Sequence, residues 1–326
     1  MEPFELAQPR KLDDALTLLA EPGAVALAGG TDLLDRMKEH LDAPKLLVSL
    51  KHLGLDQVSF DKGTGLKLGA LTTLAAVASH SDVRAQYPAL AESAAHAATP
   101  NIRGQGTLGG SLSQRPRCWY FRSEQFKCRR HGGDTCFAHD GENQLHALFD
   151  NGICAVVHAS TLATPLMAYE AQVVIVSKKG ERVLPLAEFF VAPKDDVTKE
   201  NVLQPGELLK EIRVPAPSAG SRSAYLKQGQ RESYDWPLAD VAVALVLEQG
   251  VIRRARVALG HAAPTPMRSP QAEAILEGKK PDELTAKAAA EAAMKPANPM
   301  SKNGYKVDIF RAAIARAIIN AGKEPS

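Results

Sequence analysis

The chain has 326 residues, 45 % of them hydrophobic and 23 % charged, with a formal net charge of +2. That is enough apolar material for a large buried core and more than one domain. No apolar run approaches the roughly 20 residues a membrane helix needs, and so small a charge excludes a general nucleic-acid role. The opening residues Met1, Glu2, Pro3, Phe4, Glu5 and Leu6 lack the basic start and apolar core of a secretion signal. A cytoplasmic protein is therefore expected, or a periplasmic one if a signal-bearing partner carries it out.

In chain order, Leu12 to Leu19 has helical apolar spacing, and Ala24 to Leu27 reads as a short strand running into Gly29-Gly30-Thr31-Asp32. Leu33 to Leu41 then reads as a helix and Leu46 to Leu50 as a strand, so the chain opens as alternating α and β units. Paired glycines before a helix allow a ligand close to the backbone, where free amides attract phosphate. The same turn with Thr31 as cap would also serve structure alone. A further strand is expected at Leu66 to Ala70, followed by an alanine-rich helix beginning at Thr72-Thr73 and a second helix over Arg84 to Ala97 that Pro100 closes. Gly106 to Ser111 forms a second glycine loop. Two such loops point to an extended ligand carrying a pyrophosphate.

The next stretch holds all four cysteines, Cys118, Cys128, Cys136 and Cys154, within 37 consecutive residues. Arg103, Arg115, Arg117, Arg122, Lys127, Arg129 and Arg130 lie in or before it against one acid, Glu124. Such a strip could offset cofactor phosphates or an anionic cluster, dock an acidic partner, or be a solvated loop. The spacing contains no Cys-x-x-Cys knuckle, which counts against common zinc sites, and nothing in the chain calls for disulfides. Soft sulfur ligands on an irregular loop suit an iron–sulfur cluster. Zinc, free thiols or a mixed site with His131, His139 or His146 stay open.

Strands are expected at Ile153 to Val157, Ala171 to Val176, Arg182 to Leu184 and Glu207 to Val214, with a short helix from Leu162 to Tyr169. Pro215 to Ser221 reads as a linker. Beyond it come strands at Ser223 to Lys227, Ala239 to Glu248 and Val251 to Leu259, with a Gln249-Gly250 hairpin turn. Helices follow near Pro270 to Leu276, Asp282 to Lys295 and Tyr305 to Asn320. Hydrolytic signatures and a Walker loop are absent, so the chemistry would belong to bound cofactors.

Leu27-Ala28-Gly29-Gly30-Thr31-Asp32-Leu33 and Gly106-Thr107-Leu108-Gly109-Gly110-Ser111 resemble the paired flavin loops of the FAD-binding medium subunits of the xanthine dehydrogenase and molybdenum hydroxylase family. Gly69-Ala70-Leu71-Thr72, and Tyr225-Leu226-Lys227 with Arg231, extend the resemblance over essentially the whole chain. It implies an α+β protein. Residues 1–217 would form a two-part FAD-binding domain of the vanillyl-alcohol-oxidase-like type, with parts 1–55 and 56–217 and a cysteine-rich insertion at 113–155. Residues 222–326 would form a small C-terminal domain of the CO-dehydrogenase-flavoprotein type.

By the same resemblance, Leu27 to Leu34 and Gly106, Thr107, Gly109, Gly110 and Ser111 would hold FAD, with Thr72 and Thr161 nearer the ring and Lys227 reaching in. Ser111 stands where the family often has Asn, and Thr161 where Asp is common. The cysteine segment resembles that of bacterial periplasmic aldehyde oxidoreductases, whose cysteines hold a [4Fe-4S] cluster; Cys118, Cys128, Cys136 and Cys154 would be the ligands here. The implied role is an electron-transfer subunit. It would pass electrons from a large molybdopterin subunit and a small [2Fe-2S] subunit through FAD to an external acceptor. The alternatives are a non-redox scaffold with zinc-bound cysteines, or a stand-alone flavin oxidase, for which no substrate base is evident.

Overall fold

The computed structural model of the chain describes residues 1–232 and 234–323, so positions 324–326 of the expected C-terminal domain lie outside the described residues. Three sheets carry the architecture. The first is parallel, in the order β1 (Glu5–Ala7), β3 (Leu46–Ser49), β2 (Ala24–Leu27). Its connections are α1 (Leu12–Leu19), which buries Ala15, Leu16 and Leu19 against Val48 and Leu50, and α2 (Leu33–Lys38). The helix expected to reach Leu41 stops at Lys38, because the chain turns through His40 at φ 58°.

The second sheet is antiparallel. Its strands are β4 (Val58–Asp61), β5 (Gly65–Gly69), β6 (Gln172–Ser177), β7 (Gly180–Pro185) and β8 (Leu208–Val214), in the order β4-β5-β8-β6-β7. Between β5 and β6 come α3 (Leu74–Ser79), α4 (Ser81–Gln86), α5 (Pro88–Ala95), α6 (Pro100–Gln105), α7 (Leu108–Ser113) and α8 (Ala163–Ala168); α9 (Leu186–Phe189) follows β7. Leu66, Leu68 and Ile212 of the sheet pack with Leu74, Leu90, Leu108 and Leu166 of the helices.

Three local expectations are corrected here. Both prolines open helices: Pro88 starts α5, so Arg84 to Ala97 is two helices, and Pro100 starts α6 with Thr99 accepting from the Ile102 amide at 3.3 Å. Proline suits the first turn, where its missing N–H would be unpaired anyway. The glycine loop at 106–111 is largely helical, since Thr107 caps α7. Ile153 to Val157 joins no sheet; Ala155 O instead accepts from the Ala147 amide within the same irregular segment.

The third sheet is antiparallel, in the order β12 (Met267–Arg268), β11 (Val251–Gly260), β10 (Pro237–Glu248), β9 (Ser221–Gly229). Gln249 and Gly250, at φ 50° and 77°, make the tight turn between β10 and β11. One face buries Val241, Val243, Leu245 and Val257 under α10 (Pro270–Leu276), α11 (Glu283–Met294) and α12 (Tyr305–Gly322). From the other face Tyr225, Ala242 and Ala258 enter the core of the second sheet. The fold is α+β, and one cleft lies where the first and third sheets meet the helices that follow β5.

Candidate cofactor site

That cleft has a volume of about 580 Å³, within the range of small-molecule sites. The loop after β2 contributes Ala28, Gly29, Gly30, Thr31, Asp32 and Leu33 to its wall. From the turn into α7 come Gly106, Thr107, Gly110 and Ser111. Thr161 and, from β9, Lys227 complete the sequence-expected set that faces it.

The two loops touch each other. A Cβ built on Gly29 would stand 2.0 Å from Gln105 O and 2.7 Å from its carbonyl carbon, so only glycine permits the approach. Gly30 adds a left-handed φ of 72°, which re-aims the chain into α2. Thr107 fixes the second loop by accepting from the Gly110 amide at 3.1 Å, while Leu74 N donates to Gly106 O at 2.9 Å.

Four expected residues stand behind this wall. Leu27 and Leu34 pack in the small core under the first sheet with Leu33 and Met37. Thr72 is 1 % exposed and donates its hydroxyl to Asp56 O at 3.3 Å. Gly109 is a packing glycine, since a Cβ there would lie 2.8 Å from that of Ala70.

Lys227 donates to His96 O at 2.9 Å, and burial lowers its pKa from the ordinary lysine value. Sequence reasoning missed Tyr234 and Trp236, which line the cleft from the loop between β9 and β10 and are 62 % and 48 % exposed. Asp235 shapes that loop by accepting from the amides of Gln230, Arg231 and Trp236 at 2.9 to 3.1 Å. Two exposed aromatics in an otherwise polar loop were the available signal. The Arg117 guanidinium lies 5.2 Å from the centre of the Trp236 ring.

Asp32 directs its carboxylate at arginines. It pairs with Arg36 at 2.6 Å, Arg117 at 2.8 Å and Arg122 at 2.6 Å, and accepts from the Arg115 amide at 3.1 Å. Burial would raise its pKa, but Arg117, Arg36 and Arg122 outweigh burial and hold it below the usual carboxylate range. Much of the basic strip is thus internal. Arg103 donates to Ala97 O and Ala98 O, Arg129 to Asp134 O and Ile153 O, and Glu200 takes Arg115 and Arg130. Lys127 remains exposed.

Between Ser113 and Ala163 the only regular element among the described residues is a single 3-10 turn, Arg129–His131. Side chains hold the rest. Tyr120, Phe126 and Phe137 cluster with ring centres 5.0 to 6.1 Å apart, and Tyr120 Oη accepts from the Glu142 amide at 2.6 Å. Beside this cluster, Cys118, Cys128, Cys136 and Cys154 surround one small void.

Donors are aimed at the sulfurs. Amides of Phe121 and Tyr120 serve Cys118, those of Ala155 and Ala138 serve Cys136, and that of Val156 serves Cys154. Arg130 Nε donates to Cys154 Sγ at 3.4 Å, and His146 Nε2 lies 3.2 Å from Cys118 Sγ. Burial pushes the Cys118 thiol up to about 11. Cys136 donates to Cys154, which raises its own pKa and, with Arg130, lowers that of Cys154. His139 and His131 are committed to Asn151 O at 2.8 Å and Phe126 O at 3.3 Å. Among the described residues no three His, Cys, Asp or Glu side chains converge as ligands of a single metal ion.

Behind the cleft, Ser111 Oγ and Ser160 Oγ are 2.8 Å apart, and the Ser160 amide donates to His158 Nδ1 at 3.3 Å. Burial drives the His158 pKa down to about 3, so the ring is neutral and can accept.

Residues 2–217 match the family described as FAD binding domain in molybdopterin dehydrogenase, and residues 224–321 match the CO dehydrogenase flavoprotein C-terminal domain. The aldehyde oxidoreductase FAD-binding subunit of Escherichia coli K12 is 33 % identical over 310 residues, covering 94 % of each chain. The carbon monoxide dehydrogenase medium chain of Hydrogenophaga pseudoflava is 29 % identical over 321 residues, 97 % of this chain and 96 % of that one. Carbon monoxide dehydrogenase from H. pseudoflava also aligns in structure, with a TM-score of 0.76 over 99 % of this chain and 98 % of that one at 29 % identity. Quinoline 2-oxidoreductase from Pseudomonas putida 86 aligns with a TM-score of 0.76 over 98 % of this chain and 97 % of its own at 25 % identity.

The chain that carries this glycine-walled cleft therefore falls in a flavoprotein class whose chemistry is redox. The chain is a member of the FAD-binding medium subunit family of molybdenum hydroxylases, an oxidoreductase subunit. No helix among the described residues is long and apolar enough to cross a membrane.

Proposed function

We propose that the chain is the electron-transfer subunit of an aldehyde oxidoreductase-type complex, carrying FAD in the cleft and a [4Fe-4S] cluster on Cys118, Cys128, Cys136 and Cys154. Its partners are a large molybdopterin subunit and a small [2Fe-2S] subunit, and it delivers electrons to an external acceptor. The observation that carries the reading is that all four thiols ring one void with amides aimed at three of them. N–H donors and buried cations favour anionic sulfur, and the chemistry of four thiolates suits iron.

The cleft fits a flavin dinucleotide as well. Gly29, Gly30, Thr31, Gly106, Thr107 and Gly110 bring main chain to the wall of the cleft, where a pyrophosphate and sugar chain would be held. Lys227 supplies a cation at the wall, and Ser111, held through Ser160 and His158, a hydroxyl. Trp236 and Tyr234 cover a planar group from solvent. When bound, FAD supplies exchange between single electrons and electron pairs, and the cluster supplies a one-electron site.

Anaerobic purification of the full chain, followed by a visible spectrum with iron and acid-labile sulfide analysis, tests the reading. One FAD and about four irons per chain are expected. Flavin without iron, or zinc in its place, would sink the cluster assignment, and a folded complex with neither chromophore would sink the electron-transfer role.

A further inference from the structure

The arginines that converge on Asp32 come from the two ends of the site. Arg36 sits on α2, beside the first glycine loop, whereas Arg115, Arg117 and Arg122 bracket Cys118 in the cysteine segment. Arg117 itself lines the cleft, and the Arg122 amide donates to Cys118 O at 2.9 Å. On the far side, Arg115 Nε reaches Glu200 at 3.1 Å, Glu200 also binds Arg130, and Arg130 Nε donates to Cys154 Sγ. A continuous set of ion pairs and hydrogen bonds, closed by the Arg115 amide on Asp32, thus runs from a cysteine sulfur to the loop that carries Gly29 and Gly30. Asp32 is the single carboxylate on that loop to which three of the arginines attach, with its side chain 14 % exposed.

The segment that delivers these arginines has almost no regular structure of its own. Irregular segments of this length keep one conformation when something ties them down, and metal binding is folding free energy for such loops. A group bound to the four thiols would order Cys118 and hence its flanking arginines. Their grip on Asp32 would in turn order the flavin loop. We infer that Asp32 is a positioning residue that couples the thiolate site to the FAD cleft, so that occupancy of one strengthens binding at the other. This inference rests on the cluster assignment above. Coupling of this kind is reciprocal and commonly worth about 5- to 150-fold in affinity.

The test is FAD affinity of the full chain, titrated anaerobically by flavin fluorescence, before and after the iron is removed by oxidation in the presence of a chelator. Iron removal is expected to weaken FAD binding of the unaltered chain by at least about fivefold. In Asp32→Asn, affinity should equal that of the iron-free unaltered chain and no longer respond to iron; Asp32→Glu should restore part of the response. Arg122→Gln removes one of the ties from the cysteine side while leaving every residue of the flavin loop itself unaltered, and should also shrink the response. It serves if Asp32→Asn does not fold. Equal FAD affinity with and without iron in the unaltered chain would overturn the inference, as would a full iron response in Asp32→Asn, the result if Asp32 acts only on FAD. A chain that purifies without iron fails the cluster assignment first, before any titration, and the inference falls with it.

Discussion

Cys128→Ser is expected to take the chain from about four irons to fewer than about one, with the iron–sulfur absorption lost and the flavin bands still present. Cys128 is 8 % exposed and shares one void with the other three thiols. Serine keeps the size of the side chain but offers a hard oxygen where soft sulfur is required. The consequence for structure should be local. The three main cores of the chain lie outside residues 114–162 apart from a few edge contacts, so global unfolding is not expected. Limited proteolysis should instead cut within that stretch at least tenfold faster than in the unaltered chain, a difference of about 1.4 kcal/mol in local opening. Unchanged iron content, or cleavage elsewhere first, would contradict this account of the segment.

Gly29→Ala is expected to have the other large effect, on the flavin. The added methyl would meet Gln105 O at 2.0 Å and its carbonyl carbon at 2.7 Å, and these are main-chain atoms held by α6. They cannot rotate aside as a flexible side chain would, so the two glycine loops must separate. Overpacking of this kind costs about 1–3 kcal/mol, and the same displacement opens the cleft wall. FAD affinity should fall at least tenfold, with a lower melting temperature. Gly104→Ala is the control: a Cβ there meets nothing within 4 Å and the site is inside α6, so stability should hold or rise. Equal FAD binding by Gly29→Ala and Gly104→Ala would contradict the packed-loop description.

Much of the framework was legible in the sequence because it rests on local patterns. Helical spacing at Leu12 to Leu19 and the turn at Gln249-Gly250 announce themselves, and the structure has them at the same residues. Proline was misread at Pro100 and its break at Pro88 was missed, for a physical reason. Pro88 and Pro100 each stand at the first position of a helix, and only the path of the chain distinguishes that role from closing the helix before. The strand expected at Ile153 to Val157 failed because apolar content carries no information on a partner, and this stretch hydrogen-bonds within its own loop. Glu5–Ala7 and Val58–Asp61 drew no strand expectation, since their pairing is supplied by neighbouring strands rather than by local pattern.

The cleft divides in the same way. A glycine motif shows that backbone must come close to something, but not to what. For Gly29 the neighbour is the other loop, and for Gly109 it is Ala70. Nor does a run of arginines reveal its acids: Asp32 and Glu200 lie far from the strip in sequence and meet it only in the fold. Trp236 arrives from the third sheet, more than a hundred residues beyond the second glycine loop.

The most direct measurement of the central claim is an anaerobic reductive titration of the purified chain, counting electrons taken up per protein while the flavin and iron–sulfur absorption are followed together. The account predicts about three electrons, two attributable to flavin and one to a cluster. Two electrons confined to the flavin bands, with no iron–sulfur bleaching, would contradict it.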